Sequence, residues 1–202
     1  VYARLLKDRH FVGYALTNAF VFAAMFAYIS GSPFVLETIH GLSAEQYSMV
    51  FAVNAAGLVA AAQASGRLVR HVDTRSLLDA GVIGAAAGGV ALLVFVATGA
   101  GLWPMLAALF TVVTSVGLVL PNALTLALEN HGDHAGAAAA LFGFAQYLFG
   151  GLAAPLVGFQ GSSSAMPMAA VIAGLGVAAT IMLVRPAVRH RGMSAGNGDS
   201  PR

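Results

Sequence analysis

Apolar positions dominate four long stretches of the chain, residues 11–36, 46–66, 80–128 and 135–184, and none of them holds an Asp, Glu, Lys or Arg. A helix rises about 1.5 Å per residue and a bilayer's hydrocarbon core is about 30 Å thick, so about 20 apolar residues make one crossing. The first two stretches are therefore single spans. The other two hold 49 and 50 residues, about twice what one crossing absorbs even when tilted, and each must be a hairpin. Breakers stand where the hairpins need them: Gly99-Ala100-Gly101 ahead of Trp103-Pro104, and Gln160-Gly161-Ser162-Ser163-Ser164 ahead of Pro167. The pattern predicts an all-α integral membrane protein with six transmembrane helices, near 11–36, 47–66, 78–98, 103–128, 136–159 and 166–184.

Composition and charge agree with this. The chain is 58% hydrophobic and 9% charged, against about a quarter charged in soluble domains, which excludes a soluble enzyme or nucleic-acid module. The pI of 9.3 reflects a net charge of +2 spread over loops, not a basic patch for nucleic acid. All ten Lys and Arg residues fall on one side of the six-span topology: Arg4, Lys7 and Arg9 before the first span, Arg67, Arg70 and Arg75 between the second and third, and Arg185, Arg189, Arg191 and Arg202 after the sixth. Cytoplasmic loops are enriched in Lys and Arg, so both ends are expected in the cytoplasm. Residues 1–10 then form a lead-in and 185–202 a disordered tail, since Gly192 to Arg202 has little to bury. Cysteine is absent, which removes disulfides and cysteine-ligated metals. The chain opens on Val1 with no leader or cleavage signal, and a start inside a longer protein is expected.

Four spans carry polar stripes. At about 100° per residue, Tyr14, Asn18, Met25, Tyr28 and Ser32 share one arc of the first span. Tyr47, Asn54 and Ser65 share a face of the second; Thr111, Ser115, Asn122, Thr125 and Glu129 one of the fourth; Gln146 lies with Phe142 and Phe149 on the fifth. The third and sixth spans are nearly free of polar residues and should face lipid or serve as scaffold. Interhelical hydrogen bonds are the plain use of such stripes, at about 0.6 kcal/mol each. Amides on four spans, with aromatic rings beside them, suit an amphipathic cavity instead, with Asn18, Tyr28, Asn54, Asn122 and Gln146 as its expected contacts. Gly84 and Gly88 on the third span, and Gly143, Gly150, Gly151 and Gly158 on the fifth, are expected to permit close helix packing. Pro33, Pro121 and Pro155 interrupt three striped spans, as kinks or as hinges.

Catalytic signatures are missing. The sequence contains no Gly-x-Ser-Gly motif, no Gly-x-x-x-x-Gly-Lys loop and no paired Asn-Pro-Ala, so proteolysis, ATP hydrolysis and an aquaporin pore are not expected, nor is any cofactor. His131-x-x-His134 beside Glu129 and Asp133 has metal-ligand spacing, but an exposed loop of mixed charge fits it better. Asp79 and Glu129 sit near span ends, which leaves no acid at mid-membrane depth for a proton relay.

Several segments together resemble the second half of Bcr/CflA-type drug exporters of the major facilitator superfamily. They are Tyr2-x-x-Leu5-Leu6-x-Asp8-Arg9-x-Phe11, Tyr28-Ile29-Ser30-Gly31-Ser32-Pro33-Phe34-Val35-Leu36, Gly41-Leu42-Ser43, Phe51-Ala52-Val53-Asn54-Ala55, Leu120-Pro121-Asn122-Ala123 and Ala135-Gly136-Ala137-Ala138-Ala139-Ala140-Leu141-x-Gly143. The resemblance covers residues 2 to about 160 and implies the second six-helix bundle of a twelve-span fold, with the substrate site between the halves. It further implies export of amphipathic drugs by proton antiport across a bacterial inner membrane. The partners would be a drug-like small molecule, protons, the bilayer and a first six-span half that carries the proton acid; nucleic acid is not among them. The loop Gly66-Arg67-Leu68-Val69-Arg70-His71-Val72-Asp73-Thr74-Arg75 is similar to the superfamily's cytoplasmic gate motif. Gly66, Arg67, Arg70, Asp73 and Arg75 are the residues it implies for a latch, although Arg70 replaces the motif's Asp and Asp73 a common Gly. A membrane-anchoring loop explains the arginines equally. A scaffold, a homodimeric half-transporter and a metabolite carrier remain the alternatives to drug export.

Overall fold

The computed structural model describes residues 1–158 and 164–194, with side-chain surroundings as far as Val184. A short lead-in helix α1 (Tyr2–Leu5) precedes six long ones: α2 (Arg9–Pro33), α3 (Ala44–Leu68), α4 (Thr74–Thr98), α5 (Leu102–Leu128), α6 (Ala135–Gly158) and α7 (Met166–Ser194). No strand occurs among the described residues. Among the described residues six helices are long and apolar enough to cross a bilayer, the number the sequence pattern predicts, and the chain is a multi-pass membrane protein. Helix α7 continues to Ser194, beyond the point at which a tail was expected to begin. The expectation of disorder for 195–202 and most of the Gln160–Ser164 breaker lie outside the described residues.

Local chemistry sets the helix ends. The Asp8 carboxylate accepts from the His10 N–H at 2.8 Å and starts α2, while Ser43 and Gln46 cap α3 reciprocally. Asp73 accepts from the N–H groups of Arg75 and Ser76 and starts α4. That helix stops at Gly99, whose φ of 64° lies in the left-handed region. Pro33 does not break α2; the chain passes through it into a π-helical turn, Phe34–Ile39. Pro121 and Pro155 lie inside α5 and α6, which run on past them.

Helices α2 and α5 form the centre and touch each other; α2 also carries α6 and α7, and α5 carries α3 and α4. Helices α4 and α7 close the far side against each other through small residues. A Cβ on Gly89 would lie 3.1 Å from the Ala173 Cα, and one on Gly176 would lie 2.9 Å from the Ala86 Cα. The two spans poorest in polar residues thus form a close-packed back wall, as their composition suits. A Cβ on Gly88 would likewise lie 3.1 Å from the Ala108 carbonyl oxygen, and Gly150 packs on Phe22 and Phe26. Gly143, Gly151 and Gly158 on α6 meet no neighbour within 4 Å among the described residues. Burial is uneven: 61% of the apolar window of α2 is inside the bundle, against 11% for α3 and 22% for α6. The two flanking helices therefore present wide uncovered faces.

Candidate functional site

The predicted polar stripe of α2 points to three neighbours in turn. Tyr14 Oη accepts from Arg75 on α4, Asn18 Nδ2 donates to Gln146 Oε1 on α6 at 2.9 Å, and Tyr28 Oη accepts from Asn54 Nδ2 on α3 at 2.9 Å. Ser32 Oγ and Tyr47 Oη share a further hydrogen bond at 3.3 Å. On α5, Asn122 Nδ2 donates to Ser65 Oγ and to the Leu118 carbonyl, both at 2.7 Å. Asn18, Tyr28, Asn54, Asn122 and Gln146 are all buried. A buried amide in a bilayer needs such a partner, because no water is available to replace it. Each of the five is an interhelical tie in this structure.

The amide pair gives a clear expectation. Asn18→Leu alone strands the Gln146 side chain, whereas the double change Asn18→Leu with Gln146→Leu removes both polar partners. The single variant should lose about 1 kcal/mol of stability and the double variant less than the sum of the two singles. Unfolding of the variants in mixed micelles measures this, and strict additivity would show that the pair is not coupled.

An open space lies elsewhere. A cleft of about 870 Å³ separates the first turns of α3 from those of α5 and is lined by Gln46, Met49, Val53, Asn54, Trp103 and Phe110 among others. It opens at the end of the bundle that carries His40 and Gly41. Beyond Phe110 the two helices meet at Gly57, where a Cβ would lie 2.5 Å from both Phe110 Cε2 and Thr114 Oγ1. Of the expected cavity residues only Asn54 borders it. Trp103, Phe110, Met49 and Val53 escaped the sequence reading because single apolar residues in an apolar helix carry no signal. Only the splaying of α3 from α5 makes them a wall.

Charged groups collect at the opposite end. Arg75 projects from the first turn of α4 and donates to Asp79 Oδ1 at 2.8 Å, to Tyr14 Oη at 2.9 Å and to the Leu183 carbonyl of α7 at 2.9 Å. Its guanidinium also lies 5.5 Å from the centre of the Tyr14 ring. Of the expected latch residues, Asp73 is the α4 cap and Arg75 a tie within the bundle, while Gly66, Arg67 and Arg70 are exposed. At the same end His131 Nε2 and Asp8 Oδ2 lie 2.9 Å apart, and Phe11 meets the imidazole edge-on. That bond joins the lead-in to the α5–α6 turn across most of the sequence, which no local pattern could reveal.

A bundle of membrane-length helices with no charged side chain buried among the described residues suits a membrane transporter. The Major Facilitator Superfamily model matches residues 1–155, and the chain belongs to that superfamily. It is 37% identical over 168 residues to a protein of Bacillus subtilis named "Uncharacterized MFS-type transporter YdgK", covering 83% of this chain and 42% of that one. It is 26% identical over 164 residues to the "Bicyclomycin resistance protein homolog" of Haemophilus influenzae, covering 81% and 41%. The chain thus spans about two-fifths of the length of the curated relatives it matches.

Proposed function

We propose that this chain supplies the C-terminal six-helix half of a Bcr/CflA-type transporter that exports amphipathic drugs from the cytoplasm in exchange for protons. One observation carries the reading. Every buried polar side chain among the described residues is an amide or a hydroxyl, and none is charged. A site framed by such groups and by aromatic rings holds ligands by stacking and a few hydrogen bonds, not by fixed charge. The name of the Haemophilus influenzae relative, a bicyclomycin resistance homologue, favours a drug as cargo. The uncovered face of α6, and that of α3 away from its first turns, are where a first half would pack, and the proton-carrying acid belongs to that half. Both ends of the chain lie in the cytoplasm and the protein resides in the inner membrane on this reading, since the arginine-bearing loops share one side.

Asn54 is the contact with the strongest geometric support, with Tyr28 holding its amide. Asn18, Gln146 and Asn122 would reach cargo when their interhelical bonds part during the transport cycle. Asn54→Leu in the intact transporter should change drug preference while expression holds. Resistance profiles across a drug panel measure this, and a profile identical to that of the parent would remove Asn54 from the path of the cargo.

A further inference from the structure

We infer that the cleft between α3 and α5 is a binding site for an uncharged aromatic molecule, with Trp103 and Phe110 as its stacking surfaces and the Asn54 amide as its hydrogen-bonding group. The volume of about 870 Å³ lies within the range of small-molecule pockets, about 300–1,000 Å³. The lining is chiefly apolar, with His40, Gln46, Asn54 and Thr111 as its polar members, and it contains no Asp, Glu, Lys or Arg. An ion entering it would lose hydration without a counter-charge, so the site disfavours charged ligands.

Specific groups stand unused on its walls. Trp103 is 79% exposed and Phe110 38% exposed, one from each of two turns of the same helix face. Met49 and Val53, 65% and 54% exposed, oppose them from α3. Such rings offer flat surfaces for a second ring, worth about 0.5–1.5 kcal/mol per pair beyond area burial. Asn54 donates one hydrogen bond, to Tyr28 Oη, and its carbonyl oxygen accepts none among the described residues. Tyr28 therefore holds the amide nitrogen of this cleft-bordering residue and leaves its oxygen without a hydrogen bond. Below Phe110, Thr114 Oγ1 is the single buried side-chain polar atom without a hydrogen bond among the described residues. Its neighbour Gly57 packs directly against the Phe110 ring.

The inference concerns binding and stands apart from the direction of transport or its coupling to protons. The sequence contains one tryptophan, Trp103, which supplies the readout. The protein as its host makes it, in lipid nanodiscs, is titrated with N-phenyl-1-naphthylamine, an uncharged aromatic amine that accepts energy from tryptophan. The same titration of Trp103→Phe subtracts probe dissolved in lipid and any tryptophan outside this chain. The Trp103-dependent signal should saturate. Ala107→Phe, which fills the cleft from an exposed position on α5, should weaken binding about tenfold, equivalent to about 1.4 kcal/mol. Asn54→Leu should weaken binding in the same direction, and Phe144→Ala on the uncovered face of α6 should leave it unchanged. Displacement by unlabelled 1-naphthol, also uncharged, should exceed displacement by ethidium, a planar cation. A signal that rises without saturation, that is equal in Ala107→Phe, or that ethidium displaces preferentially would overturn the inference. Should Ala107→Phe melt below the parent, Met49→Ala replaces it: an intact fold with unchanged probe affinity counts against the site. Saturable binding in a protein that exports no drug would defeat the export reading and leave this one standing, and export without cleft binding would do the reverse.

Discussion

Gly117→Ala should be the most damaging single-methyl change in the bundle. A Cβ at that position would meet the Leu58 carbonyl oxygen, with the Ala62 nitrogen at 2.9 Å and the Ala61 Cβ at 3.0 Å. Two of these three atoms are backbone, so no rotamer change relieves the clash and α3 must move away from α5. Overpacking of this kind costs about 1–3 kcal/mol. Here it falls on a helix whose buried residues are only Asn54, Gly57 and Ser65, so little apolar burial resists the separation. The separation would also stretch the Asn122–Ser65 bond. Gly57→Ala offers a control: its new methyl would meet the Phe110 ring and Thr114 Oγ1, side-chain atoms that rotate aside. Thermal unfolding of both variants should place Gly117→Ala clearly below Gly57→Ala. Equal midpoints would mean that α3 shifts along α5 without resistance.

Arg75→Ala should have the next largest effect, on stability. One guanidinium holds α4 to α2 through Tyr14 and to α7 through Leu183. The bond to Asp79 contributes little, since Asp79 is 43% exposed and such helical ion pairs are worth about 0.3–0.5 kcal/mol. The two interhelical bonds, charged at the donor and only partly exposed, account for most of an expected loss of about 2 kcal/mol. Arg75→Lys should not restore it, because an ammonium cannot present three donors at the fixed angles of a guanidinium. Arg70→Ala should behave differently, since Arg70 is exposed on the turn. If that turn is a gate, the variant slows transport with ligand affinity and melting temperature near those of the parent. An Arg75→Ala protein as stable as its parent would show that the ties to Tyr14 and Leu183 carry no load.

These two arginines, five residues apart, show how far the sequence could be read. Their position on one side of the topology follows from charge and span length alone. Which one turns into the bundle depends on Asp73 starting a helix at that point, so that Arg75 leaves the first turn of α4 beneath Tyr14 and Leu183. The amides behave similarly. Composition shows that Asn18, Asn54, Asn122 and Gln146 need polar company within the membrane. It does not show that Asn18 takes Gln146, Asn54 takes Tyr28 and Asn122 takes Ser65, since those pairs join helices distant in sequence.

The sequence by itself determined the all-helical membrane class and the number of spans. Both depend on one-dimensional quantities, the length of an uncharged stretch and the thickness of the bilayer. It also determined that the third and sixth spans differ from the rest, because they lack groups that need partners. The tertiary structure alone decided how the polar groups are distributed: the arc on α2 meets α4, α6 and α3 in succession. It also decided where the open space lies, because the cleft exists only where α3 leans away from α5 above the contact of Gly57 with Phe110. Helix crossing and splay depend on which side chains meet at each level of two packed helices, and periodicity along one helix contains no information about the other.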